Sequence, residues 1–254
     1  MTVYKPTNTI ISESLEILKD ISQWLSEHES PDSVYLPVLV GGWAVHVYNP
    51  WFGSLDIDLV TSSKTRQSLK YYLKHEKEFT DYRLPYATSG STVRKTSSEG
   101  QPIIIDFATY ESRQPFEGSG QILPFEILRD NTELRMVGNE VLIRVPNRSV
   151  LLILKLKAAW DRHFRITNQE SHDPEWEQGK LLKDYGDILA LLDPSKGGRE
   201  VMIEIVGDQL VQYGFLRECF LRLLSSHEPF DLYGRMTPEK GKEVIFTLLE
   251  MVGE

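Results

Sequence analysis

With 254 residues, 41% hydrophobic and 26% charged, the chain has the makeup of a folded protein of one large or two small domains with a substantial core. A formal net charge of −9 argues against broad nucleic-acid binding, no apolar run approaches the roughly 20 residues of a membrane span, and Met1 to Pro6 lack the apolar stretch of a secretion signal. Cys219 is the only cysteine, which excludes an intrachain disulfide and a cysteine-based zinc site and points to a cytoplasmic location.

In chain order, Ile11, Leu15, Leu18, Ile21 and Leu25 recur at helical spacing and predict an amphipathic helix over 10–27. Ser30-Pro31-Asp32-Ser33 ends it, and a strand is expected over 35–40. Gly41-Gly42 then turns the chain into a short helix through Tyr48, which Asn49-Pro50 terminates. A second strand carries Leu55-Asp56-Ile57-Asp58-Leu59. A helix is expected over 65–78, strands over 92–94 and 103–108, and a hairpin of 134–137 with 140–145 about Gly138-Asn139. Gly118-Ser119-Gly120 has no lysine of the phosphate-loop kind after it and reads as a flexible loop.

Past Pro146 the pattern changes to helices. The first is expected over 149–164, and the second starts from the cap pair Asp173-Pro174 and runs to Leu192. Asp193-Pro194 and Gly197-Gly198 mark a break, with further helices over 199–212, 215–225 and 237–252. The polar stretch 168–176 reads as a mobile loop. The fold class is therefore α+β, with domains at 1–147 and 148–254, the second helical.

The chemistry concentrates in the first half. Alternate strand residues share a face, so Asp56 and Asp58 point the same way while Leu55, Ile57 and Leu59 enter the core. Two adjacent carboxylates repel, and a cation relieves them; hard oxygen ligands suit Mg²⁺ with substrate phosphates completing its shell. Glycines at a helix start let the backbone approach phosphate closely. Asp106 interrupts the apolar strand Ile103-Ile104-Ile105-Asp106-Phe107-Ala108, where a lone acid needs a partner or a metal. Between Glu126 and Arg165 eight Lys/Arg face five acids, which reads either as a basic wall for a triphosphate or RNA or as a solvated helix face. In the helical half Asp184 shares a face with Leu181, Tyr185, Ile188 and Leu192. Lys155 or Arg162, seven apart, would pair with it, as a structural bridge or facing substrate. Trp43 is expected in the core, and His46 in a packing or surface role.

Gly41-Gly42 before a helix, Asp56-x-Asp58 and Asp106 on a later strand resemble the nucleotidyltransferase superfamily that includes DNA polymerase β. Leu151-Leu152-Ile153-Leu154-Lys155-Leu156-Lys157-Ala158, then Arg162, then Lys183-Asp184-Tyr185-Gly186-Asp187-Ile188 resemble the abortive-infection type IV toxin nucleotidyltransferases. The similarity covers about 35–60 and 100–193. It implies a nucleotidyltransferase-type mixed sheet flanked by helices, with a helical domain completing the nucleotide cleft. It implies two Mg²⁺ ions, or Mn²⁺ in their place, on Asp56, Asp58 and Asp106, with Asp106 helping to deprotonate the acceptor. Gly41 and Gly42 would cradle the triphosphate of an NTP such as ATP, Ser54 would contact phosphate, and Lys155 and Asp184 would serve the nucleotide. Lys155 is expected to be exposed, so that its loss weakens NTP binding with little cost in stability. Phe52 departs from the pattern, since many relatives carry Arg there. The implied reaction moves an NMP from the NTP to a hydroxyl on a tRNA end, a protein or a small molecule. A toxin would also have an antitoxin protein as partner, with no membrane involved. The alternatives are a catalytically inactive nucleotide-binding regulator and an antibiotic-modifying adenylyltransferase.

Overall fold

A computed structural model describes residues 6–30, 33, 35–82, 92–138 and 141–253. Residues 1–5 and Pro31, Asp32, Asn139 and Glu140, which the expected terminus, helix stop and hairpin turn include, lie outside the described residues. The chain forms two units: Pro6–Arg113 with Pro124–Pro146, and Gln114–Leu123 with Asn147–Glu254. No helix among the described residues is long and apolar enough to cross a membrane.

The first unit is α+β. Helix α1 (Asn8–His28) starts where the Thr7 side chain accepts from the Ile10 amide, and it buries Ile10, Leu18, Ile21 and Trp24. Strand β1 (Val38–Val40) runs directly into α2 (Gly41–Tyr48), and β2 (Asp56–Thr61) returns antiparallel to β1. Helix α3 (Ser63–Glu76) is capped by Ser62, three residues from the Thr65 amide it receives. Strands β3 (Thr80–Tyr82), β4 (Thr92–Thr96) and β5 (Pro102–Thr109) complete a five-stranded sheet in the order β1-β2-β5-β4-β3. Only the central β2–β5 pair is parallel, so the sheet is mixed. A separate hairpin pairs β6 (Thr132–Val137) with β7 (Val141–Pro146), and the Tyr48 hydroxyl donates to the Pro146 carbonyl at 2.7 Å. Leu39, Ile57, Leu59, Ile103 and Ile105 form the sheet's buried face, with Leu69 and Leu73 of α3 in the core.

The second unit is helical: α4 (Arg148–Thr167), α5 (Pro174–Leu192), α6 (Ile203–Gln212), α7 (Arg217–Leu224), α8 (Glu228–Tyr233) and α9 (Pro238–Gly253). Asn147 and Asp173 cap α4 and α5 by accepting from Val150 and Trp176 amides at 2.9 and 3.0 Å. The first strand is shorter than expected, and the helix expected from 199 starts at Ile203, after a short 3₁₀ turn at Gly198–Glu200. The polar stretch after α4 ends at Asp173, because Pro174 already lies in α5. The glycines of Gly118-Ser119-Gly120 both take positive φ, and a Cβ on Gly118 would overlap the Phe164 ring of α4. The Phe116 amide donates to Gln121 across this turn at 2.8 Å, so the expected flexible loop is a pinned turn built into the helical unit.

Candidate active site

The register of β2 against β5 gathers the acids. Asp58 stands directly opposite Asp106, and Asp56 is opposite Ile104, so all three carboxylates rise from one face of adjacent strands. Their neighbours Ile57, Leu59, Ile105 and Phe107 are buried on the other face, while the three aspartates are half-buried. Asp106 is oriented by two donors. Its Oδ1 accepts from the Thr92 hydroxyl at 2.7 Å and from the Phe107 amide at 3.0 Å. Thr92, fully buried at the start of β4, is a site residue that the sequence does not single out. Its only sequence signal is a β-branched hydroxyl residue opening a strand.

Gly41 sets the other edge. It sits at φ +68°, a left-handed conformation that side chains disfavour, and a Cβ there would overlap the Asp58 carboxylate. Val40, opposite Asp58 in the sheet, starts α2 without a side-chain cap. The first-turn amides of α2 therefore begin where the Asp58 carboxylate lies. Gly42 and Ser54 are buried, Trp43 is in the core as expected, and His46 packs edge-on to Trp43 at 5.2 Å.

The donor set suits a hard divalent ion, three carboxylates on one sheet face with the start of α2 beside them. Among the described residues, however, no three carboxylate, imidazole or thiol groups stand close enough to ring an ion. The cause is orientation. The Asp58 carboxylate lies against Gly41 on the β1 side, while Asp106 is held toward Thr92 on the β4 side.

Lys155 and Asp184 belong to a different arrangement, inside the helical unit. Lys155 is 6% exposed, and its Nζ lies 3.1 Å from Asp184 and 2.7 Å from Asp187. The expected exposure is therefore corrected: its neighbours on α4 are apolar and α5 brings it two acids. Arg162 Nε donates to Asp184 at 2.8 Å, so both expected partners reach the same carboxylate. Lys183 adds a contact to Asp187 at 2.8 Å, and Arg165 pairs with Glu177 and, at 3.1 Å, with Glu117. Burial works to neutralise Asp184, but Lys155 and Arg162 outweigh it and hold its carboxyl well below the usual range. Burial likewise works against the charge on Lys155, and Asp187 and Asp184 reverse it, raising its pKa above that of an ordinary lysine. For Lys183 burial prevails, and its pKa is lowered.

The basic stretch between Glu126 and Arg165 is engaged in such pairs. Besides Lys155, Arg162 and Arg165, Arg129 lies 3.8 Å from Glu126, Arg135 3.1 Å from Glu133 and Arg148 3.4 Å from Glu200. Lys157 pairs with Asp161, and Arg144 donates to the Thr132 hydroxyl at 3.3 Å.

No protein-family model matches the chain, and no curated protein matches it in sequence. Among solved structures, it is similar to an antigenic nucleotidyltransferase-like protein from Paracoccidioides brasiliensis, at 14% identity and a TM-score of 0.46, over 85% of this chain and 93% of that one. It is also similar to the antibiotic-resistance factor ANT(2'')-Ia, at 12% identity and a TM-score of 0.46, over 84% of this chain and 99% of that one.

Proposed function

We propose that the first unit is a metal-dependent nucleotidyltransferase centre that moves an NMP from an NTP such as ATP to a hydroxyl acceptor. The observation that carries this reading is the register placing Asp58 opposite Asp106, with Asp56 on the same face and Gly41 fitted against Asp58. Asp56, Asp58 and Asp106 would hold Mg²⁺ or Mn²⁺, and the bound metal would supply charge neutralisation at the phosphates. The first-turn amides at Gly41 and Gly42 would receive phosphate, with Ser54 beside them. Asp106, which two donors orient, would take a proton from the acceptor hydroxyl.

The experiment incubates the protein with each α-labelled NTP, Mg²⁺ and either total tRNA, cell protein or an aminoglycoside. Label transferred by the parent chain and lost in Asp58→Asn supports the reading, and the acceptor that takes the label identifies the substrate class. NTP binding without transfer to any acceptor would favour the inactive regulator. The toxin reading rests on the resemblance of the α4 and α5 segments; growth arrest on expression, relieved by Asp58→Asn and by a cognate antitoxin protein, is its test. For Lys155 and Asp184 the buried ion pairs support a structural role. A nucleotide role for Lys155 would show as weaker NTP binding in Lys155→Arg at unchanged melting temperature.

A further inference from the structure

Helix α3 is basic in an acidic chain. From Ser62 to Lys77 it carries Lys64, Arg66, Lys70, Lys74 and Lys77 against the single acid Glu76. Its buried side is Thr65, Leu69 and Leu73. At 100° per residue, Lys64, Gln67, Ser68, Tyr71 and His75 fall on one stripe of the opposite side, and all five are exposed. Lys70 and Lys74 flank that stripe and converge on Asp81.

Beside the stripe lies a recess of about 500 Å³ between α1 and α3, lined by Trp24, His28, Tyr71, Tyr72, Gln67 and Ser68, with Glu76 at its rim. Its walls are aromatic. His28 stacks on Trp24 at 4.4 Å and 8°, Tyr72 packs on Trp24 at 5.9 Å, and Tyr71 leans on His75 at 4.1 Å. Tyr71 is 66% exposed, an unusual state for a large ring. Lys77 pairs with Asp20 at 2.7 Å, so the cation on the exposed stripe itself is Lys64, and aromatic faces beside it match a nucleobase joined to phosphate.

We infer that the α1–α3 recess binds single-stranded RNA, with a base stacked between Tyr71 and His28 and the adjoining phosphates along the Lys64 side of α3. Gln67 can donate and accept together, the pattern that reads adenine's edge, and Glu76 accepts from an exocyclic amino group. An adenine-containing strand is therefore the preferred occupant.

The test is fluorescence anisotropy with a labelled ten-nucleotide oligo(A) RNA, in EDTA and without NTP, so that it reads binding apart from any transfer activity. Failure here leaves the carboxylate reading standing, and failure of transfer leaves this surface standing. Because Tyr71 is exposed, Tyr71→Ala should fold normally; it should weaken binding about tenfold, while Tyr71→Phe should retain it. Lys64→Gln should lower the slope of log affinity against log salt by about 0.7. No binding by the parent chain, unchanged binding by Tyr71→Ala, or equal binding of an RNA duplex, whose bases are already stacked, would each overturn the inference.

Discussion

The sheet unit and the helical unit each collect acidic side chains, and they treat them in opposite ways. On α5 of the helical unit three buried acids each meet a cation: Asp184 meets Lys155 and Arg162, Asp187 meets Lys155 and Lys183, and Glu177 meets Arg165. In the sheet unit Asp106 is half-buried and is held by a neutral hydroxyl and a backbone amide. A neutral donor orients a carboxylate without cancelling its charge, whereas a buried guanidinium or ammonium cancels it. The first arrangement leaves negative charge for something that arrives later; the second joins α4 to α5.

The largest effect expected from testing this contrast is in the helical unit. Asp184→Asn removes the carboxylate that Lys155 and Arg162 share, leaving Lys155 to Asp187 and Arg162 to Glu177 at 3.9 Å, and should destabilise by about 3 kcal/mol, read as a lower urea midpoint. The same change should flatten the acid limb of stability. The Asp184 pKa in the folded chain lies below its unfolded value of about 3.9, so the stability it contributes is complete above that pH and is lost as pH falls below it. A parent chain and an Asp184→Asn variant that lose stability in parallel from pH 5 to 3 would show the pair to be electrostatically idle.

Next in size is Gly41→Ala. The positive φ and the overlap with Asp58 should together cost about 2 kcal/mol in melting experiments and displace Asp58, removing transfer as well. Gly120→Ala, also at positive φ but with open space around it, separates the backbone cost from the overlap. Smaller again is Thr92→Val, which keeps shape but removes the donor to Asp106. It should cost about 1 kcal/mol, read as a lower melting temperature. The smallest stability change is expected from the double variant Asp56→Asn, Asp58→Asn. Apo melting should stay within about 0.5 kcal/mol of the parent or rise slightly, because two like charges are removed, while the proposed Mg²⁺-dependent transfer should be lost. A drop as large as that of Asp184→Asn would erase the contrast between the units.

Much of the sheet unit is legible in the sequence because its signals are local. Alternation marks β2, an apolar run broken by one acid marks β5, and the glycine pair marks the β1–α2 junction, while in the helical unit the cap pair Asp173-Pro174 marks α5. The parallel pairing of β2 with β5 is not legible, since register between distant strands depends on what lies between them. Strand β3 is three residues of polar edge and α8 only six residues, too short for either periodicity to show. At the site, the three aspartates stand out from their strand faces, but Thr92 does not, because a threonine in a strand is ordinary until its neighbour is known. Lys155 is buried, against expectation, in the run Leu151 to Leu156; a lysine flanked by that many apolar residues is a sign of burial with a counter-charge. Lys183 and Asp187, four apart on the apolar α5, carry the same sign.

The turn at Gln114–Leu123 has a bearing on how this chain is made. It leaves the sheet, enters the helical unit and goes back, so a growing polypeptide emits Phe116 and Leu123 long before Tyr213 and Phe215 exist to cover them. In the finished protein Phe116 meets those two rings at 4.8 and 5.1 Å, and the Tyr213 hydroxyl donates to the Ile122 carbonyl at 2.7 Å. During synthesis this apolar finger has no home, and it is the segment a chaperone would be expected to hold until the ribosome has delivered α6 and the Tyr213–Phe215 rings beyond it.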